Sequence, residues 1–286
     1  MIELFYEWSL FDVNRYWLVT LLMTIVNGLA LRGLSVRYLP FGRVNFTIPL
    51  FYLFFIFSFP QARMFSAAFP AALFVIFGLF ALYKSGESKS PTAPLFISSF
   101  LSGCACLLYM PALVAVVSFV AIAITLHLFL GRNILVFLGG IVLTIGGCLF
   151  CRYLCFADLS DFLRIIYFDI SDFHLQLLPP RPATLFLTLV FIYLFGKSMI
   201  RWLHRAYGNQ SYKYKVLASF IWMFIVCGAP VFLNANKVFG YLPILAIPAS
   251  VLLAYYFSEE RITKQMKVEF IVLLLAVALN QVAYYI

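Results

Sequence analysis

Residues 95–130 read LFISSFLSGCACLLYMPALVAVVSFVAIAITLHLFL, a run without a single Asp, Glu, Lys or Arg. As one continuous helix, rising ~1.5 Å per residue, it would extend roughly 54 Å, against ~30 Å for the hydrocarbon core of a bilayer. The run must therefore fold back on itself. Tyr109-Met110-Pro111 marks the break, because proline cannot continue a helix but suits the first turn of a new one. The expectation is two crossing helices, about 94–109 and 111–130, joined by a tight hairpin.

Outward from this pair, further apolar stretches lie at about 16–31, 46–60, 66–83, 134–155, 183–200, 216–233, 238–257 and 268–285. Together they predict an all-α, polytopic transmembrane bundle of about ten spans. The segments 46–60 and 94–109 are short. No stretch between spans is long enough for a second folded unit, so residues 1–286 read as a single transmembrane domain. It carries an outer N-terminal segment at 1–15 and an outer amphipathic loop at 156–182.

Composition agrees. The 286 residues are 64% hydrophobic and only 11% charged, with a mean hydropathy of +1.01. Soluble chains have roughly 45–50% apolar and about 25% charged residues. The excess apolar surface must face lipid. The net charge of +9 does not point to nucleic acid, since no aromatic-basic module stands in any loop and cytoplasmic loops are rich in Lys and Arg anyway. Glu3, Glu7 and Asp12 against a lone Arg15 argue against a cleaved signal peptide, which needs a basic start.

With ten spans, alternate loops fall on opposite sides. One side collects Arg32, Arg37, Arg43, Lys84, Lys89, Arg132, Lys197, Arg201, Arg205, Lys213, Lys215, Arg261, Lys264 and Lys267. The other holds only Arg15, Arg63, Arg152, Arg164, Arg181 and Lys237. The first group marks the cytoplasm and puts both termini outside.

Candidate chemistry concentrates in the outer loop. Asp158, Asp161 and Arg164 follow at spacings of three and share a helical face; Asp169 and Asp172 repeat the spacing before His174. Carboxylates and a histidine at a membrane surface suit general acid–base work, so these five acidic and histidine positions are the catalytic candidates. Asp12, Arg15, Arg164 and Arg181 are the ligand-binding candidates, the arginines as a phosphate clamp. The same pattern also describes an amphipathic helix lying in the interface with a solvated acidic face.

Elsewhere the signals are structural. Cys148, Cys151 and Cys155 line one helix face, but a thiolate site needs a fourth ligand, so no metal and no cofactor is expected. Intramembrane polar residues are few: Asn27, His127, Arg152, Glu269, Asn280 and Gln281. His127 and Glu269 are read as reaching an interface by snorkelling, which leaves no charged pair near the midplane for ion-coupled transport. The segment Lys197 to Lys215, with Trp202, Tyr207, Tyr212 and Tyr214 interleaved, reads as a cytoplasmic loop that suits anionic lipid or a polyprenyl phosphate, though the positive-inside bias and an aromatic belt explain it equally well.

Several stretches resemble an uncharacterised Bacteroidetes family of polytopic inner-membrane proteins, a domain of unknown function. They are Arg37-Tyr-Leu-Pro40, Phe59-Pro60, Leu79-Phe-Ala-Leu-Tyr-Lys84, Ser99-Phe-Leu-Ser-Gly103, Leu108-Tyr-Met-Pro-Ala-Leu113, Leu245-Ala-Ile-Pro-Ala-Ser250, Ala254-Tyr-Tyr-Phe257 and Leu279-Asn-Gln281. The resemblance implies the inner membrane of a Gram-negative bacterium and supplies no catalytic residues. Three functions fit: an enzyme or accessory protein handling lipid-linked envelope precursors, glycosyltransferase-like; a non-catalytic subunit of an envelope or secretion complex; or a transporter. The expected partners are membrane lipids, a lipid-linked precursor or other membrane subunits.

Overall fold

The computed structural model describes residues 13–40, 46–60, 65–88, 90–128, 131–156, 181–206, 212–233, 238–258 and 263–285. At 13–16, 151–156, 205, 206, 229–233, 238 and 239 it describes the backbone alone. Among the described residues there are ten α-helices and no strand: α1 (Val13–Tyr38), α2 (Thr47–Phe57), α3 (Ala68–Glu87), α4 (Thr92–Leu108), α5 (Leu113–Thr125), α6 (Arg132–Phe156), α7 (Pro182–Ala206), α8 (Tyr212–Leu233), α9 (Val238–Phe257) and α10 (Lys264–Tyr285). Six of them, α1, α3, α6, α7, α9 and α10, contain stretches long and apolar enough to cross a bilayer; α2, α4 and α5 are shorter apolar helices.

The hairpin at 95–130 forms where proline dictates. α4 ends at Leu108, Tyr109 is extended (φ −148°, ψ 101°), and a single 3-10 turn over Met110–Ala112 hands the chain to α5. α5 stops earlier than the apolar run does. The His127 N–H bonds to Ile124 O at 3.0 Å and the Leu128 N–H to Ala123 O at 2.9 Å, with His127 at φ +57°. This is a Schellman termination, with histidine where glycine is usual. His127 is thus a helix-stop residue.

α9 is the hub. It packs on α2, α3, α7 and α8, and 89% of its span window is buried, against 28% for α7 and α10 and 22% for α6. The latter three therefore offer most of their surface to lipid. α9 contains Pro243 and Pro248, tolerated because neighbouring helices satisfy backbone groups that lipid cannot. α4 and α6 cross closely. A Cβ on Gly140 would lie 2.0 Å from Ser99 Oγ, and one on Gly103 would lie 2.8 Å from Thr144 Cβ. Small residues at i and i+4 on both helices permit that approach.

Two boundaries differ from the sequence reading for one reason. Arg32 and Arg37 lie inside α1, and Lys197 and Arg201 lie inside α7, so 197–206 is helix rather than loop. A long basic side chain need not end a helix, because it can reach the interface or find a partner from within it.

Candidate functional site

Glu269 stands on the second turn of α10, buried at 9% exposure. Across the groove, α7 presents Tyr193, Lys197 and Arg201 at successive four-residue steps, so they share one face. Lys197 donates to Glu269 Oε1 as an ion pair. The Tyr193 hydroxyl donates to the same oxygen at 3.3 Å. Tyr256, one residue from the end of α9, donates to Oε2. Three helices thus converge on one carboxylate and satisfy both of its oxygens.

A second cation sits one turn further along. Arg201 donates to the Tyr256 carbonyl at 2.8 Å, and its guanidinium carbon lies 4.5 Å from the centre of the Tyr256 ring. A cation over the last carbonyls of α9 also suits the helix dipole. Lys197 Nζ lies 4.8 Å from the Tyr193 ring. Among the described residues the cluster brings together two cations, one carboxylate and two aromatic rings. Its outer wall is open: Tyr193 is 52% exposed and the Lys197 side chain 26%. This corrects the expectation that Glu269 snorkels alone, since it is paired with Lys197. Lys197 lies nine residues before Ala206, the end of α7, or about 13 Å along its axis.

The other polar residues of the spans are helix ties. Asn27 Nδ2 donates to Phe69 O at 3.0 Å and to the Tyr52 hydroxyl at 3.3 Å, and the Tyr52 hydroxyl in turn donates to Pro243 O at 3.0 Å. One node so joins α1, α2, α3 and α9. Asn280 Nδ2 donates to Ser58 O at 2.9 Å while its Oδ1 accepts from Thr184 at 2.8 Å; Gln281 donates to Phe57 O at 2.7 Å.

Of the residues proposed from sequence, Asp12, Asp158, Asp161, Arg164, Asp169, Asp172 and His174 lie outside the described residues. So do the side chains of Arg15, Arg152, Cys151 and Cys155. Arg181 is described and exposed: it donates to Ala283 O at 3.2 Å and Tyr284 O at 3.4 Å, with its guanidinium 5.5 Å from the Tyr284 ring. It therefore caps the end of α10. Among residues described to the side chain, no three His, Cys, Asp or Glu side chains gather as a metal site would require.

Among the described residues, an all-helical body with six helices long and apolar enough to cross a bilayer marks a multi-pass membrane protein. Comparison with protein families, with characterised proteins and with solved structures gave no match.

Proposed function

We propose that this is a ten-crossing protein of the bacterial inner membrane, with both termini periplasmic, that handles a lipid-linked envelope precursor. The observation that carries the functional reading is the Glu269–Lys197 cluster, which opens sideways toward lipid between α7 and α10. An ionisable pair within a membrane is costly and points to function by default. A site on the lipid-facing flank receives a substrate that travels in the bilayer. Depleting the protein in its host and extracting lipids tests this: lipid-linked precursors should accumulate, and an unchanged precursor pool would sink the reading.

The ten crossings are supported by alternation. Arg37 approaches Glu87 to 3.9 Å, and the Tyr212 hydroxyl reaches Tyr83 O at 2.6 Å, at one end of the bundle. The contacts of Arg181, Asn280 and Gln281 gather at the other. In a chain whose native cysteines are replaced, cysteines at positions 86 and 209 should be labelled from the cytoplasm and one at 171 from the periplasm. Labelling of 171 from the cytoplasmic side overturns the topology.

The ion pair also favours a second reading, a transporter. Solute flux in proteoliposomes that follows an ion gradient and disappears in Lys197→Met would put it first.

A further inference from the structure

We propose that Asn27 holds a buried water molecule against the hub helix α9, the water donating one hydrogen to Asn27 Oδ1 and the other to the carbonyl oxygen of Ile244.

A count of donors at the node where α1, α2, α3 and α9 meet carries this. Asn27 is fully buried. Both hydrogens of its amide are spent, one on Phe69 O at 3.0 Å and one on the Tyr52 hydroxyl at 3.3 Å. These two bonds fix which end of the amide is nitrogen and which is oxygen. The Tyr52 hydroxyl spends its only hydrogen on Pro243 O at 3.0 Å. Asn27 Oδ1 therefore finds no donor among the described residues. A buried amide oxygen left in that state destabilises the fold, and lipid has no hydrogen to offer it.

The second acceptor follows from covalent chemistry. Pro248 lies inside α9 and has no N–H, so the Ile244 carbonyl, four residues earlier, lacks its helical donor. Ile244 is fully buried. It directly follows Pro243, so the relay from Asn27 through Tyr52 ends one residue from it. Both oxygens need hydrogen, and water is a small neutral molecule that donates twice. Ordered waters complete proline-broken helices in membranes, and a buried water needs only two to four polar partners. A metal cation suits the node less well, because it needs charge to offset it in an apolar core. Among the described residues the carboxylates are Glu87 and Glu269. Glu87 stands at the opposite end of α3 from Phe69, and Glu269 pairs with Lys197. The water thereby ties α1 to the stretch of the hub that is poorest in backbone hydrogen bonds.

Cryo-electron microscopy of the full chain in nanodiscs, at a resolution that shows ordered water, tests the site directly. The map should hold a peak about 2.5–3.0 Å from both Asn27 Oδ1 and Ile244 O. Thermal unfolding supplies an independent reading. Pro248→Ala restores an N–H to Ile244 O and displaces the water. Asn27→Leu loses the two amide bonds in either background, but it loses the water only where Pro248 is present. Its melting loss should therefore be roughly 2–4 °C smaller in the Pro248→Ala background.

A resolved node without the peak overturns the proposal, and so do equal losses in the two backgrounds. A peak present in sodium buffer and lost in choline buffer also overturns it, since the ligand would then be a cation. If Asn27→Leu does not fold, the wild-type map alone decides.

Discussion

The side-chain amide of Asn280 donates to the carbonyl oxygen of Ser58 at 2.9 Å, joining residues 222 positions apart in the chain. The neighbouring Gln281 takes the Phe57 carbonyl at 2.7 Å. These carbonyls belong to the end of α2, which has only 11 residues, about 16 Å or half a hydrocarbon core. A helix stopping short leaves its last carbonyls without intrahelical partners, and lipid offers none. The amides of α10 supply them.

Asn280→Leu should therefore destabilise the protein by about 1–3 kcal/mol, the cost of leaving buried groups unpaired. It removes the 2.9 Å donor to Ser58 O, leaving only the longer 3.4 Å contact from Gln281, and takes the acceptor from Thr184, so its effect should exceed that of Gln281→Leu. Thermal unfolding in detergent gives the order, and equal or negligible shifts would count against the capping role.

A double-mutant cycle at Lys197 and Glu269 should show strong coupling. Lys197→Met or Glu269→Gln alone removes the ion pair, but Tyr193 and Tyr256 still bond position 269 and Lys197 is partly exposed, so each should cost about 1–3 kcal/mol. The two together should recover most of it. Additive losses would mean that the two side chains do not meet.

Gly140→Leu should separate α4 from α6. Even a Cβ at Gly140 would meet Ser99 Oγ at 2.0 Å and Phe96 O at 3.0 Å, and a backbone carbonyl cannot rotate away. Gly139, whose Cβ would meet nothing within 4 Å, is the control. Gly139→Leu should leave expression and melting unchanged while Gly140→Leu lowers both.

His127→Gly should stabilise the chain by roughly 0.5–1 kcal/mol. The left-handed conformation at φ +57° costs a residue with a Cβ about 1 kcal/mol or more, partly offset by the greater freedom of glycine when unfolded. A lower melting temperature would show that the imidazole has a use beyond ending α5.

Residues 158–181, expected from sequence on the outer face, give the sharpest functional contrast. If it forms a catalytic site, Asp161→Ala or Arg164→Ala should abolish activity in cells without lowering protein level. Full tolerance of alanine at every polar position in 158–181 would leave the segment a structural element and favour the subunit reading.

Much of the architecture was legible because its causes are local. Pro111 in a charge-free run marked a break, and length with apolarity located the helices, six of which are long and apolar enough to cross a bilayer. The Glu269 cluster was not legible. Lys197 and Glu269 are 72 residues apart, neither has a local motif, and each had an easier explanation as a charge near a span end. What distinguished them is three-dimensional: Tyr256 and Tyr193 converge on the same carboxylate. Asn280 and Gln281 were visible as polar residues in a span, but nothing nearby named the carbonyls that they serve. That His127 ends α5 was not visible, because termination by an αL residue is usually signalled by glycine.

The dependence of α2 on α10 has a consequence for how the chain is made. A ribosome delivers Phe57 and Ser58 long before Asn280 and Gln281 exist, so for most of synthesis the end of α2 has no cap of its own. Either the insertion machinery or bound water must shelter those carbonyls until α10 emerges. Final settling of α2 is thereby tied to completion of α10. A nascent chain arrested after α9 should show α2 open to aqueous labels that the finished protein excludes, which makes α10 an assembly checkpoint as well as a lipid-facing wall.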